Sequence, residues 1–225
     1  MLVLVVDSST PAVTAALVEV SADAVATRAH RRTVDARAHG ELLAPQVDAA
    51  LADADARPAD LGAIVAGLGP GPFTGLRVGL VTAAAMGQVL GIPTYGVCSL
   101  DAVGRPAAAG EPVLAATDAR RREIYWAVYD GAGQRLVGPE VSAPSVAAER
   151  ARGLAVTAAV GDGAYRYADV LGLPVRAEPR WPDATALAAL AAERIRANAP
   201  GDPLTPLYLR RPDAVAATAR KPVLP

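Results

Sequence analysis

Hydrophobic positions at the head of the chain come in two runs. Leu2 to Val6 is unbroken apolar sequence ending on Asp7, and after Ser8-Ser9-Thr10-Pro11 the run resumes over 12–18. Apolar run, polar turn and apolar run predict two strands joined by a loop. Residues 24–34 read as a third strand, with Arg28, Arg31 and Arg32 toward solvent. The period then changes. Leu43, Val47, Ala50 and Leu51 fall on one face at helical spacing, which predicts a helix from about 39 to 54. Pro45 opposes that reading, because proline inside a helix removes a donor and crowds the preceding turn. Leu61 to Leu68 predicts a short strand. Gly69-Pro70-Gly71-Pro72 forces a turn, Thr74 is the expected N-cap, and a second helix runs to about Leu90, where Gly91 and Pro93 stop it. Residues 92–97 read as another strand. Strands alternating with helices predict an α/β layer fold.

The segment from Arg105 to Pro112 is rich in Ala, Gly and Pro and is the expected hinge. It divides the chain into an N-terminal lobe, 1–108, and a C-terminal lobe, 109–225. Beyond it, Val113 to Thr117 is apolar, Asp118 follows, Ala119 to Arg122 form a turn, and Ile124 to Tyr129 are again strand-like. This repeats the opening arrangement and reads as an internal duplication, with Asp7 and Asp118 one lobe apart. Later pieces are a strand near 155–160, a turn at Gly161-Asp162-Gly163, helices near 164–171 and 184–198, and a Pro-rich tail.

The 75–90 helix carries one charge, Arg77, and its apolar residues surround the axis. A helix apolar on all sides must be covered on more than one side. Gly75, Gly79, Ala83 and Gly87 form a ridge almost without side chains, which would let another helix backbone come close. One side should cover the lobe's own sheet, and the 39–54 helix together with another chain would cover the rest. Full burial within the monomer is the alternative.

Composition narrows the picture. The chain has 225 residues, 52% of them hydrophobic, and a net charge of −1 with a pI near 6.1. Nucleic-acid binders lean on a basic excess, since phosphate neutralisation supplies much of the affinity. Its lack here implies that any nucleic-acid role needs a partner. A single cysteine, Cys98, allows no disulfide within the chain and fits a reducing, cytoplasmic setting. The run after Met1 has no basic flank and is too short for a signal peptide. No uncharged apolar stretch reaches the length of a membrane span.

Candidate chemistry is sparse. Asp7 and Asp118 either face each other across a cleft or sit in two ordinary turns, which favour Asp, Ser and Thr anyway. The stretch from Gly67 to Gly75 precedes a helix, where free amides can bind an anion. It is not a Walker A loop, because Leu76 and Arg77 follow Gly75, and two prolines remove donors. His30 and His39 are not spaced as a metal pair, and Cys98 is expected to be a small buried hydrophobe. Arg120-Arg121-Arg122, followed by Ile124, Tyr125 and Trp126, reads as an RNA-phosphate contact or as a solvated strand end.

Five stretches together resemble the TsaB (YeaZ) family. They are Val6-Asp7-Ser8-Ser9-Thr10; His39-Gly40-Glu41-Leu42-Leu43-Ala44-Pro45; Gly69-Pro70-Gly71-Pro72-Phe73-Thr74-Gly75-Leu76-Arg77-Val78-Gly79; Asp118-Ala119-Arg120-Arg121-Arg122-Glu123-Ile124-Tyr125; and Pro206-Leu207-Tyr208-Leu209-Arg210. Pro72 departs from the family's serine, which weakens an anion-binding role for that loop. The resemblance implies a two-lobed actin-like (ribonuclease-H-like) fold with a mixed sheet and helices in each lobe. It also implies a non-catalytic role beside a paralogue, TsaD, which places threonylcarbamoyl on N6 of adenosine 37 in tRNAs reading codons that begin with A. A TsaE-like ATPase and tRNA would join through the complex, and a homodimer would form when TsaD is absent.

TsaD-like proteins hold their metal through His-x-x-x-His, whose positions here fall on Ser99 and Val103. Neither residue suits a metal. The resemblance therefore implies no catalytic residue, no metal and no cofactor in this chain, with any nucleotide held at the partner interface. Its interface residues would be His39, Glu41, Leu42, Leu43, Gln46, Gly75, Leu76, Gly79, Ala83 and Met86. Asp7, Ser8 and Asp118 would line a vestigial nucleotide cleft. The alternative activities are an ATP-dependent phosphotransferase of the actin-like superfamily and a glycoprotease-like peptidase, the latter without a credible nucleophile or metal set.

Overall fold

A computed structural model describes residues 1–210; the Pro-rich tail beyond them lies outside the described residues. The opening apolar runs are strands β1 (Leu2–Asp7) and β2 (Ala12–Val20), an antiparallel hairpin in which Leu4 pairs with Leu17 and Asp7 with Thr14. Strand β3 (Val25–Val34) adds antiparallel to β2. Helix α1 (His39–Asp53) follows, with Pro45 on its exposed face, where water can reach the carbonyl left unpaired one turn earlier. Strand β4 (Leu61–Gly67) pairs parallel with β1, helix α2 (Phe73–Leu90) crosses over, and β5 (Thr94–Val97) pairs parallel with β4. The first sheet is ordered β3-β2-β1-β4-β5.

Helix α3 (Asp101–Ala107) leads to the second sheet. Strands β6 (Val113–Arg120) and β7 (Glu123–Tyr129) form a hairpin, β8 (Arg135–Ser142) extends it, helix α4 (Pro144–Gly153) crosses, and β9 (Ala158–Val160) pairs parallel with β6. The order is β8-β7-β6-β9, which copies β3-β2-β1-β4 and gives the duplication a topological form. Helices α5 (Asp162–Arg166), α6 (Ala168–Leu171) and α7 (Ala184–Arg196) complete the described chain.

Strand side chains alternate between faces, so each sheet has two cores. Leu4, Val6 and Leu17 meet Leu43, Val47 and Leu51 of α1 and Leu76, Leu80 and Ala83 of α2. Val3, Val5 and Val18 on the opposite face meet Leu187, Ala191 and Ile195 of α7. The second sheet packs α3 through Leu100 and Val103 on one face, and α4 with α5 and α6 on the other. The first sheet ends in sequence at Val97 and the second begins at Val113, yet α7, far beyond that gap in sequence, covers the first sheet.

Three local expectations change. Helix α2 is capped by Pro72 rather than Thr74, because extended backbone at the proline leaves Thr74 already inside the first turn. The expected hinge is helical as far as Ala107, where Ala102, Val103 and Ala107 are buried. The hydrophobic pattern does not predict strand β8 or helix α4; β8 is half-exposed without clean alternation.

Candidate functional site

The loop after β1 is sealed by its neighbours. Asp7 is 1% exposed. Its Oδ1 accepts from the Ser9 amide at 3.0 Å and the Ser9 hydroxyl at 2.8 Å, and its Oδ2 accepts from the Ser99 hydroxyl at 2.6 Å. The Ser99 hydroxyl in turn accepts from the Gly69 amide at 3.1 Å. Burial pushes the Asp7 carboxyl above its ordinary pKa, and the hydrogen bonds from Ser99 and Ser9 with the field of His39 pull it partly back. A Cβ at Gly67 would land on the Asp7 carboxylate, so glycine is required for this close approach.

Ser8 explains the small-residue ridge. Its hydroxyl donates to the Gly75 carbonyl at 2.7 Å and accepts from the Gly79 amide at 2.8 Å, the pair that a helix normally bonds to each other. A Cβ at Gly79 would lie 2.5 Å from Ser8 Oγ. The ridge therefore faces this chain's own lobe, correcting the expectation that it receives another chain. Among the expected interface residues, Leu43, Leu76, Gly75, Gly79 and Ala83 are buried in that lobe. His39 is also buried, its Nε2 2.8 Å from the Thr10 carbonyl. Glu41 is exposed, while Leu42 and Met86 are half-buried.

The opposite face of α2 is open and apolar. Val81 is 65% and Val89 84% exposed, with Ala84 and Ala85 between them. By length and composition alone α2 is apolar enough to cross a membrane, and one face of it is already committed to the sheet. Gln46 of α1 is buried, and neither of its amide atoms finds a hydrogen-bond partner among the described residues. That is a costly state for a buried amide.

Between the lobes lies a cleft of about 1050 Å³. Its walls include Arg37, His39, Phe73, Gly75, Arg120, Arg121 and Tyr125. Asp7, Ser8 and Asp118 do not line it, which corrects the expected vestigial cleft: two of them are sealed, and only the residues following Asp118 reach the wall. Asp118 Oδ1 accepts from the Arg120 amide at 3.2 Å, and Oδ2 pairs with Arg166 at 3.3 Å.

The C-terminal segment spans this cleft. The Leu207 amide donates to the Leu68 carbonyl at 2.9 Å, and the Tyr208 ring stacks on Phe73 at 5.2 Å. Arg77 lies over Phe73 at 3.9 Å and donates to the Tyr208 hydroxyl. Arg210 reaches the second lobe, pairing with Glu123 and donating to the Ala119 carbonyl. Sequence reasoning named this motif without finding its purpose, which is to tie the two lobes together.

The positions matching the paralogue's metal ligands do not fit a metal. Val103 is fully buried and offers no donor, and the Ser99 hydroxyl is occupied by Asp7 and Gly69. Burial pushes the Cys98 thiol up to about 11, so it holds little thiolate.

The family model described as TsaD, tRNA N6-adenosine threonylcarbamoyltransferase, matches residues 29–200. An uncharacterized protein of Mycobacterium tuberculosis is 51% identical over 215 residues, 94% of this chain and 93% of the relative. The tRNA threonylcarbamoyladenosine biosynthesis protein TsaB of Escherichia coli is 35% identical over 96 residues, 41% of this chain and 42% of the relative. YeaZ from Pseudomonas aeruginosa superposes with a TM-score of 0.73 at 26% identity, covering 92% of this chain and 99% of that one. The chain belongs to the TsaB (YeaZ) family. Its two duplicated sheets are the actin-like, ribonuclease-H-like fold of the YeaZ structures. Within the TsaB fold the sealed Asp7 loop, the open face of α2 and the strapped cleft are the features that bear on function.

Proposed function

We propose that this chain is a cytoplasmic, non-catalytic partner of a TsaD-like transferase, required for forming N6-threonylcarbamoyladenosine on tRNA. The observation that carries the reading is the exposed apolar face of α2, with Val81 and Val89 open to solvent. An apolar stripe of this kind on a soluble domain marks a protein contact. The matching helices of the paralogue would pack here with quasi-twofold symmetry, and a second copy would take the same face when the transferase is absent. A TsaE-like ATPase and tRNA join through the complex. The chain would need no cofactor of its own, and any nucleotide would sit at the partner boundary.

Size-exclusion co-elution with the transferase tests the interface. V81D with V89D should abolish the complex while the chain keeps its melting temperature, since both side chains are exposed. Undiminished co-elution would put the interface elsewhere. The phosphotransferase alternative needs Asp7 to reach Mg-ATP, and its seal under Ser99 counts against that. Micromolar ATP binding by the isolated chain, lost in Asp7→Ala, would restore it.

A further inference from the structure

The turn between β6 and β7 is unusual. Arg120 pairs with Glu123, leaving Arg121 and Arg122 as a two-residue connection. Arg120, Arg121 and Arg122 have φ of 61°, 53° and 61°. Left-handed backbone is disfavoured for every residue with a Cβ, and Asn-Gly is the pair such a turn prefers. Three successive exposed arginines here depart from local preference, and departures of that kind cluster where a surface is used.

More cationic and aromatic groups surround the turn. Helix α5 abuts the end of β6 so closely that a Cβ at Gly163 would come within 2.7 Å of the Thr117 backbone. From α5, Arg166 reaches Asp118, whose other oxygen holds the Arg120 amide. The Asp162 amide donates to the Arg180 carbonyl at 3.0 Å, which brings the 180–181 segment alongside. The Arg180 guanidinium lies 4.5 Å over the Tyr165 ring and 5.6 Å from that of Trp181. Tyr165 is 61% exposed. Five arginines therefore converge at one end of the second lobe in a chain of net charge −1. Among the described residues, acids nearby include Asp118, held by Arg166; Asp162, buried; Glu123, paired with Arg210; and Glu178, whose carboxylate accepts from the Arg180 amide.

We infer that this end of the second lobe contacts single-stranded RNA, with phosphates against Arg120, Arg121, Arg122 and Arg166 and an unstacked base against the Tyr165–Arg180 pair. Arginine forks match phosphate oxygens, and an exposed ring bearing a guanidinium offers a sequence-tolerant stacking platform. The choice of RNA rests on the proposed function; Arg120 and Arg121 also wall the cleft that the start of α2 lines, whereas the proposed transferase contact uses Val81 and Val89 further along that helix. With a net charge of −1, binding by this chain alone would be weak, and the surface would act within the complex.

The test is fluorescence anisotropy with a labelled RNA stem-loop carrying an unpaired loop, titrated with the assembled complex over a range of salt. R121N/R122G removes two cations and supplies the residues the turn favours, and an unchanged melting temperature separates lost contacts from lost folding. It should weaken binding at least about five-fold and flatten the slope of log affinity against log salt by roughly 1.4, two single-strand phosphate contacts. Y165A should weaken binding roughly five-fold with the slope unchanged, the smaller end of a stacking contact. Co-elution with the transferase should be intact in both variants. Unchanged affinity and slope in both would overturn the proposal, as would lost co-elution with RNA affinity intact, which would make this a protein-facing surface. Failure of V81D/V89D to disturb the complex would instead count against the α2 interface and leave this measurement standing.

Discussion

The two lobes share a strand order and place an aspartate at the same point, yet their hairpins end differently. Asp7 is sealed beneath Ser99, Ser9 and the start of α2, whereas Asp118 remains near the surface with Arg166 and the Arg120 amide as partners. What differs is the cover. Gly75 and Gly79 let a long helix settle directly onto Ser8, while the end of β6 is abutted by the five-residue α5 and the second hairpin projects a tight arginine turn. An aspartate at the end of a strand is thus not a site by itself. The residues that cover its loop decide whether it becomes part of the core or part of a surface.

The largest expected effect is on the sealed loop. Gly67→Ala would drive a methyl into the Asp7 carboxylate, costing about 3 kcal/mol by urea unfolding, at the upper end for overpacking a core. Wild-type stability would break the contrast at its root. Ser99→Ala leaves a buried carboxylate short of a donor and should cost about 2 kcal/mol. Asp118→Ala, the matching change in the other lobe, should cost under about 1 kcal/mol, because its ion pair is largely exposed on the arginine side.

A pH profile sharpens the contrast further. Burial, and then the Asp118 charge, push the Asp162 carboxyl up to about 7 from 3.8. A raised folded-state pKa means the native state holds the extra proton, so this group's stabilisation is complete below the unfolded pKa and is lost as pH rises through about 7. Melting temperature should therefore fall over that window in the wild type and fall less in Asp162→Asn. The smallest effect is a gain: Arg122→Gly should stabilise the chain by about 1 kcal/mol by relieving left-handed backbone. A loss would mean that the Arg122 side chain stabilises the fold.

Much of the fold was legible because apolar periodicity is local. The runs at β1, β2 and β4 and the helical spacing of Leu43, Val47 and Leu51 each report one buried face, and the repeated strand–Asp–turn–strand pattern reported the duplication. Strand β8 was not legible, since its half-exposed residues do not alternate. The orientation of α2 is not legible in sequence for a physical reason. A glycine ridge shows that something approaches closely, and sequence does not say whether that is another helix or the hydroxyl of Ser8. For the same reason Gly79→Leu, the natural first choice for testing the interface, would strike Ser8 and report on folding instead. The exposed pair Val81 and Val89 lies on the opposite face and could be recognised only once the ridge had been placed. The lobe-spanning Pro206 to Arg210 motif was visible as sequence, but its contacts with Phe73 and Glu123 are long-range.

One reconstitution tests the central claim most directly: tRNA threonylcarbamoylation measured with purified TsaD-like transferase, its ATPase and this chain, each also omitted in turn. The account predicts no product from this chain without the transferase, and a large loss when the chain is left out or replaced by V81D/V89D. Transfer by this chain on its own, or full activity of the transferase in its absence, would contradict it.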